Sequence, residues 1–270
     1  MSTHLKGDGR KLFVGAASYY AKYRPGYPKA FFEFARERFH LDGNGRLLDL
    51  GCGTGQILLP FAADFEEVVG LDPEPEMLAE GKRQAKKQKV KNAVWILSKA
   101  ENINKKKIGH FRLVAMGASF HWMEEQNKVL QTIYDITESG GGLIFTHNPS
   151  SGWRDKGEKW KVVRKQIVQK YLGAKRRAGN VFYKEKEEYW EDVLDTSPFG
   201  GHEEWNYKYP LSWTLKEVIG YLYATSFASR RLFGNRLADF ERELKDALLK
   251  IEPSGIFREQ VRLQVLVSKR

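Results

Sequence analysis

The run Asp49-Leu50-Gly51-Cys52-Gly53-Thr54-Gly55 sets three glycines at alternate positions directly after an acidic residue. Glycines at that spacing let the backbone bend sharply and approach a ligand with no Cβ in the way. The pattern is G-x-G-x-G, not the G-x-G-x-x-G that wraps a dinucleotide pyrophosphate, and the chain carries no G-x-x-x-x-G-K-[ST] phosphate loop. Asp72 follows at close to the distance where an acidic residue accepts hydrogen bonds from ribose hydroxyls. Turn and acid together predict a nucleoside ligand. Pro73 and Pro75 also suit Asp72 to capping a helix, and the two roles are compatible. Cys52 is the only cysteine. It has no companion nucleophile motif and stands where a small residue is needed, so it reads as inert. No metal site is expected.

Alternating elements must hold these residues. Phe31 to Phe39 reads as an amphipathic helix, and the turn cluster Asp42-Gly43-Asn44-Gly45 leads into a buried strand, Arg46 to Leu50. A helix from about Gln56 to Ala63 follows, then a strand Glu67 to Leu71 and a helix opening near Pro75. Further strands are expected at Ala93 to Leu97, Phe111 to Met116 and Gly142 to Thr146, with a helix over Asn127 to Ile136, and Lys105, Lys106 and Lys107 in a loop. Strands alternating with helices predict an α/β fold with a parallel sheet covered on both faces.

Beyond Asn148 the rhythm changes. Helices are expected at Trp160 to Leu172 and Glu185 to Leu194 with no strand between, then strands at Glu203 to Tyr209 and Val261 to Ser268 and helices at Thr214 to Ser226 and Arg236 to Lys250. The segments divide as 1–148, a lid and ligand-binding core; 149–210, a mostly helical cap; and 211–270, completing the sheet.

With 41% hydrophobic and 13% aromatic residues the chain is too apolar for disorder, yet no apolar run is long enough to span a membrane. Met1 to Lys11 lacks an apolar signal core, and a single cysteine allows no intrachain disulfide, so a cytoplasmic setting is expected. The formal charge of +11 suits polyanions, a small acidic substrate or simple solubility alike.

Leu47 to Gln56 resembles the first motif of the class I S-adenosylmethionine-dependent methyltransferases almost residue for residue. Val68 to Pro73, with Met77-Leu78, resembles the second. Lys99-Ala100-Glu101-Asn102-Ile103 resembles the third, which contacts adenine in family members, although many of them place an aspartate where this chain has Lys99. Tyr20 to Pro28 is similar to the Y-x-x-Y-R-P-x-Y-P segment of the trans-aconitate methyltransferase-like, or type 11, small-molecule group. Ala118-Ser119-Phe120-His121-Trp122 is similar to that group's A-x-H-W element, and Trp213-Thr214 and Tyr221-Leu222 echo its late W-T and Y-L signature.

The resemblance implies a Rossmann-like, doubly wound seven-stranded sheet of order 3-2-1-4-5-7-6, the last strand antiparallel, with a helical cap inserted after strand 5. It implies S-adenosyl-L-methionine as cofactor, S-adenosyl-L-homocysteine as product, and a small acceptor, a carboxylate among the candidates. Cofactor contacts are expected from Asp49, Gly51, Gly53 and Gly55, from Asp72 and Pro73, from Ala100 and Glu101, and from Gly117 and Trp122. Arg24 either pairs with the cofactor carboxylate or is a surface residue before a proline bend. Tyr20 and Tyr23 either form a lid or pack the first helix. His121 is the candidate base, with packing or cofactor orientation as the alternative.

The basic stretch Lys161, Arg164, Lys165, Lys170, Lys175, Arg176 and Arg177 reads first as the solvated face of an amphipathic helix, then as a funnel for an anionic substrate, and last as an RNA-binding surface. Two further functions stand beside the small-molecule enzyme: an RNA-binding methyltransferase, and a cofactor-binding protein without chemistry.

Overall fold

The computed structural model describes residues 12–147, 157–183 and 190–270. After α1 (Ala17–Tyr23) and α2 (Lys29–Phe39), strands and helices alternate: β1 (Arg46–Leu50), β2 (Glu67–Asp72), α3 (Pro75–Lys87), β3 (Ala93–Leu97), α4 (Lys105–Ile108), β4 (Phe111–Gly117), α5 (Gln126–Ile136) and β5 (Thr137–His147). There follow α6 (Lys159–Leu172), β6 (Arg177–Ala178), β7 (Val181–Phe182), α7 (Trp190–Asp195), β8 (Glu203–Thr214), α8 (Leu215–Tyr223), α9 (Leu237–Ile251) and β9 (Ile256–Lys269).

The main sheet runs β3-β2-β1-β4-β5-β9-β8. With the separate β6–β7 hairpin set aside, this is the expected order 3-2-1-4-5-7-6. β1 to β5 pair in parallel, and β9 lies antiparallel against β5, from Gly142 opposite Lys269 to His147 opposite Gln264. Strand order reverses between β1 and β4, and open α/β sheets bind ligands at the carboxyl ends of strands beside such a switch point. β1 sits in the middle of the sheet, and Leu47, Leu48, Asp49 and Leu50 are all buried. α3 begins with Pro75 in its first turn, where a missing N–H does no harm. α8 is fixed by a capping box between Thr214 and Glu217.

The chain divides into two compact units, each assembled from separate segments: a helical unit of residues 1–24, 148–185 and 208–263, and a sheet unit of 25–147, 186–207 and 264–270. The sequence reading drew three consecutive segments instead. In the sheet unit, Leu48, Val69, Val114 and Phe145 pack with Val129 and Ile133 of α5. In the helical unit, Trp160 and Val168 of α6 join Val218 and Leu222 of α8 and Phe240 and Leu244 of α9.

Three local expectations change. The segment after the glycine turn is no regular helix: Leu59 and Phe61 bond four residues back, but Ala62 and Asp64 bond only three back and close a 3-10 turn. Ile57, Leu58, Leu59 and Phe61 are all buried, so packing on every side shapes the segment. The three lysines expected in a loop form the single-turn α4, whose Asn104 cap accepts from the Lys106 amide at 3.1 Å. Finally, strands do lie between the two cap helices. Gly179-Asn180 turns β6 into β7, with Gly179 at φ 61°, a two-residue hairpin turn that needs a left-handed residue. Part of the expected Glu185 to Leu194 helix falls outside the described residues, and α7 is what the structure describes of it.

Candidate cofactor site

At the carboxyl end of β1 the chain passes through Gly51, Gly53 and Gly55 at φ 70°, 52° and 87°, values that strain residues with a Cβ. The amides of Gly51 and Cys52 both donate to the Leu71 carbonyl, at 2.8 and 3.1 Å, tying the turn to the end of β2. A Cβ on Gly51 would lie 2.4 Å from that of Ser119. Ser119 itself donates to the Leu50 carbonyl at 2.5 Å. The loop after β4 is thereby clamped against the turn.

Asp72 completes the clamp. One carboxylate oxygen accepts the Gly53 amide at 2.9 Å and the other the Glu74 amide at 2.8 Å, in a site only 7% exposed. Each oxygen keeps a further lone pair for a ligand hydroxyl. Pro73 bridges β2 and α3 beside it. Asp49 is also buried. Burial pushes its carboxyl up to about 7, the Leu58 amide that it accepts opposes the rise, and Asp72 adds to it. Burial raises Asp72 as well, against the Glu74 and Gly53 amides. Two neighbouring carboxyls in so dry a place suit a ligand that brings positive charge. Burial, Asp72 and Asp49 also push the Cys52 thiol up, which keeps it protonated and inert.

The loops after β3 and β4 meet beside this turn. Ala100 is buried at the head of a short 3-10 turn. The Glu101 carboxylate accepts the Glu124 amide at 2.8 Å and so ties one loop to the other. Gly117 ends β4, and a Cβ there would fall 2.6 Å from the Tyr27 hydroxyl and 2.5 Å from Ile57. Thr146 of β5 donates to that hydroxyl at 2.9 Å. His121 and Trp122 lie in the next 3-10 turn. The His121 ring stacks on Trp190 of α7 at 6.0 Å and 11°, and tilts against Trp122 at 4.7 Å.

Asp49, Asp72, the three glycines, Ala100, Glu101, Gly117, His121 and Trp122 thus share the sheet unit. Tyr20 and Arg24 belong to the helical unit, where the Arg24 guanidinium lies 5.1 Å from the Tyr20 ring centre and 5.7 Å from that of Tyr221. Sequence analysis gives no site role to Tyr27, Ser119 or Trp190, although the first two stand inside the quoted motifs. Tyr27 had a signal, since it ends the repeated aromatic pattern of Tyr20 to Pro28. Ser119 stands in the Ala118 to Trp122 element, which does not reveal its bond to Leu50, and Trp190 acts through a contact that no local pattern announces.

The basic stretch is not simply a solvated face. Lys161 and Arg164 lie on the buried side of α6, at 4% and 6% exposure. Lys170, on the exposed side, is paired with Glu243 at 2.6 Å.

Residues 47–141 match the family model described as a methyltransferase domain. Among curated relatives, the demethylmenaquinone methyltransferase of Lactiplantibacillus plantarum is 29% identical over 40% of this chain and 46% of its own length. The chain spans about half the length of the curated relatives it matches. A type II methyltransferase candidate from Anaeromyxobacter dehalogenans superposes with a TM-score of 0.57 at 17% identity, covering 91% of this chain and 96% of that one. The [4+2]-cyclase SpnF gives 0.52 at 17%, covering 92% and 84%. At such identities the likeness speaks for the fold alone, and the same fold carries more than one reaction. Residues 47–141 match a methyltransferase domain, and the sheet built around them has the strand order that the resemblance to the class I S-adenosylmethionine-dependent methyltransferases implies.

Proposed function

We infer that the protein transfers the methyl group of S-adenosyl-L-methionine to a small-molecule acceptor, as the trans-aconitate methyltransferase-like group does. The observation that carries the reading is the clamp of Asp72 on the Gly53 amide, beside a second buried carboxyl at Asp49. This donor set fits a nucleoside with a cationic amino-acid arm. Asp72 offers its remaining lone pairs to ribose hydroxyls. The turn from Gly51 to Gly55, with Asp49 beneath it, receives the amino-acid portion, and the loop of Ala100 and Glu101 flanks the adenine.

When bound, the cofactor supplies an electrophilic methyl carbon on a sulfonium, a good leaving group. The protein's task is then to orient the acceptor in line and exclude water. His121, held flat against Trp190, is the residue to take a proton from a phenol or amine acceptor; a carboxylate acceptor needs no base near neutral pH. The same reading takes Tyr20 and Arg24 as cofactor contacts, Arg24 through its guanidinium to a carboxylate.

Burial of Lys161 and Arg164 weighs against the RNA-binding reading, because phosphate contacts need exposed cations. The same reading takes residues 1–148 as lid and cofactor core, 149–210 as the substrate cap and 211–270 as completing the sheet. No helix among the described residues is long and apolar enough to cross a membrane, in keeping with a cytoplasmic enzyme.

The test is incubation with S-adenosylmethionine and a metabolite extract, followed by mass spectrometry. The expected result is S-adenosylhomocysteine together with a product heavier by one methylene. Tight S-adenosylhomocysteine binding without turnover on any extract would favour a cofactor-binding protein without chemistry, and methylation confined to RNA would overturn the small-molecule reading.

A further inference from the structure

We propose that Trp95, on the edge strand β3, is a positioning residue for the glycine turn, a role that rests on the reading of that turn as the cofactor site. Its ring braces Gly55, and Gly81 of α3 sets where the ring stands. All of these residues lie in the sheet unit.

One large ring here meets three missing side chains. Trp95 stands opposite Gly70 in the register of β2 and β3, so both positions look to the same face of the sheet. A Cβ on Gly70 would lie 2.8 Å from the Cys52 sulfur and 2.8 Å from a Leu58 methyl carbon. Its absence lets the chain after β1 settle onto β2. Trp95 fills the space alongside: its Cη2 is 3.0 Å from where a Cβ on Gly55 would stand, and its Cζ3 and Cη2 are 2.4 and 2.5 Å from the same point on Gly81. One edge of the ring thus touches turn and helix at once. Leu59 crowds the Gly55 position too, at 2.9 Å, which leaves the ring little room to shift on that side.

Gly55 depends on such support. It holds φ 87°, and its amide and carbonyl serve a turn to Cys52 and a single bond from Leu59, both 2.9 Å, with no regular helix beyond. A turn that receives a ligand through its backbone binds best when already in shape, and a stiff indole is well suited to hold it there. Trp95 is itself only half-buried at the sheet edge. What the tip of its ring touches explains its place better than core volume does.

Calorimetry with S-adenosylhomocysteine on the full chain, and amide hydrogen exchange in the ligand-free protein, test the brace. Gly81→Ala forces the ring off its place, Trp95→Phe withdraws the tip, and the double variant combines them. Val94→Ala, at a position 41% exposed on the same strand, is the control. Circular dichroism checks that each is folded, and thermal unfolding follows stability separately.

Gly81→Ala is expected to weaken S-adenosylhomocysteine roughly tenfold, although alanine favours the helix. Trp95→Phe weakens it several-fold. Adding Gly81→Ala to Trp95→Phe changes affinity by less than about twofold, because the tip that transmits the clash is gone, and Val94→Ala matches the wild type. The Gly53 and Gly55 amides exchange faster in both single variants. A merely structural role would lower stability without this non-additive pattern in affinity. Wild-type affinity in both single variants, or effects that simply add in the double variant, would overturn the brace. A wild-type protein that does not bind S-adenosylhomocysteine would instead sink the cofactor reading; the exchange arm then decides the brace, and unchanged Gly53 and Gly55 rates reject it.

Discussion

At Asp72 one carboxylate joins the glycine turn to the first turn of α3, through the Gly53 and Glu74 amides, while facing the ribose in the proposed complex. Asp72→Ala therefore does more than remove a ligand contact. It orphans two buried amides, each worth about 1–3 kcal/mol, so urea denaturation should register a loss of several kcal/mol together with weaker S-adenosylhomocysteine binding. Asp72→Asn keeps one carbonyl acceptor and is expected to retain more of the stability while still losing affinity. Equal stability of Asp72→Ala and wild type would show that the clamp contributes nothing. Asp49 gives a pH signature. A carboxyl whose folded pKa lies above its unfolded value binds its proton more tightly when folded. Its contribution to stability is then complete below about pH 4 and is lost as pH rises, here through about 7. Thermal unfolding of the ligand-free protein should show this loss between pH 5 and pH 8, on the order of a few kcal/mol, and Asp49→Asn should flatten it. An unaltered pH profile in the variant would remove Asp49 as its source.

Among the elements, the docking of α1 on α8 depends on one glycine. A Cβ on Gly220 would stand 2.5 Å from two atoms of the Tyr23 ring, while Tyr19 meets Tyr223 edge-on at 5.3 Å. Gly220→Ala gains about 1 kcal/mol of helix propensity, but overpacking against a ring at that distance costs about 1–3 kcal/mol. The expected net result is faster hydrogen exchange in α1 and a modest fall in stability, both relieved by Tyr23→Leu in the same chain; a stabilised Gly220→Ala with unchanged exchange would reject the contact. This pairing also marks the limit of what the sequence reveals. The glycine turn and the strands β1 and β3 are legible because a motif and an unbroken apolar run determine them locally. Gly220 carries no such mark: its reason lies in a helix almost two hundred residues earlier. Trp190 is silent for the same cause, since its stacking on His121 is made across the sheet unit from a short helix in an acid-rich stretch. The β6–β7 turn had a signal in Gly179-Asn180, but flanking strands of two residues are too short to show a period.

On the scale of the whole chain, two units built from interleaved segments raise the question of whether they unfold together. β8 and β9 each run through both units, which favours cooperation, yet each unit has a hydrophobic cluster of its own. The buried pair Lys161–Glu259 offers a lever placed wholly in the helical unit. Replacing Lys161 by Met leaves Glu259 buried without its cation, a change worth about 3–5 kcal/mol of destabilisation. Replacing Glu259 by Gln as well removes the stranded charge and should recover a large part of that loss, since the glutamine carbonyl can still accept from Trp213. Hydrogen exchange of Lys161→Met then reads the coupling directly. If the units are separate cooperative blocks, α6, α8 and α9 exchange faster while β1, β2 and β4 keep their protection. Acceleration spread evenly over both sets of amides would mean that the shared strands bind the two units into one folding transition, and that the helical unit cannot loosen without the cofactor site loosening too.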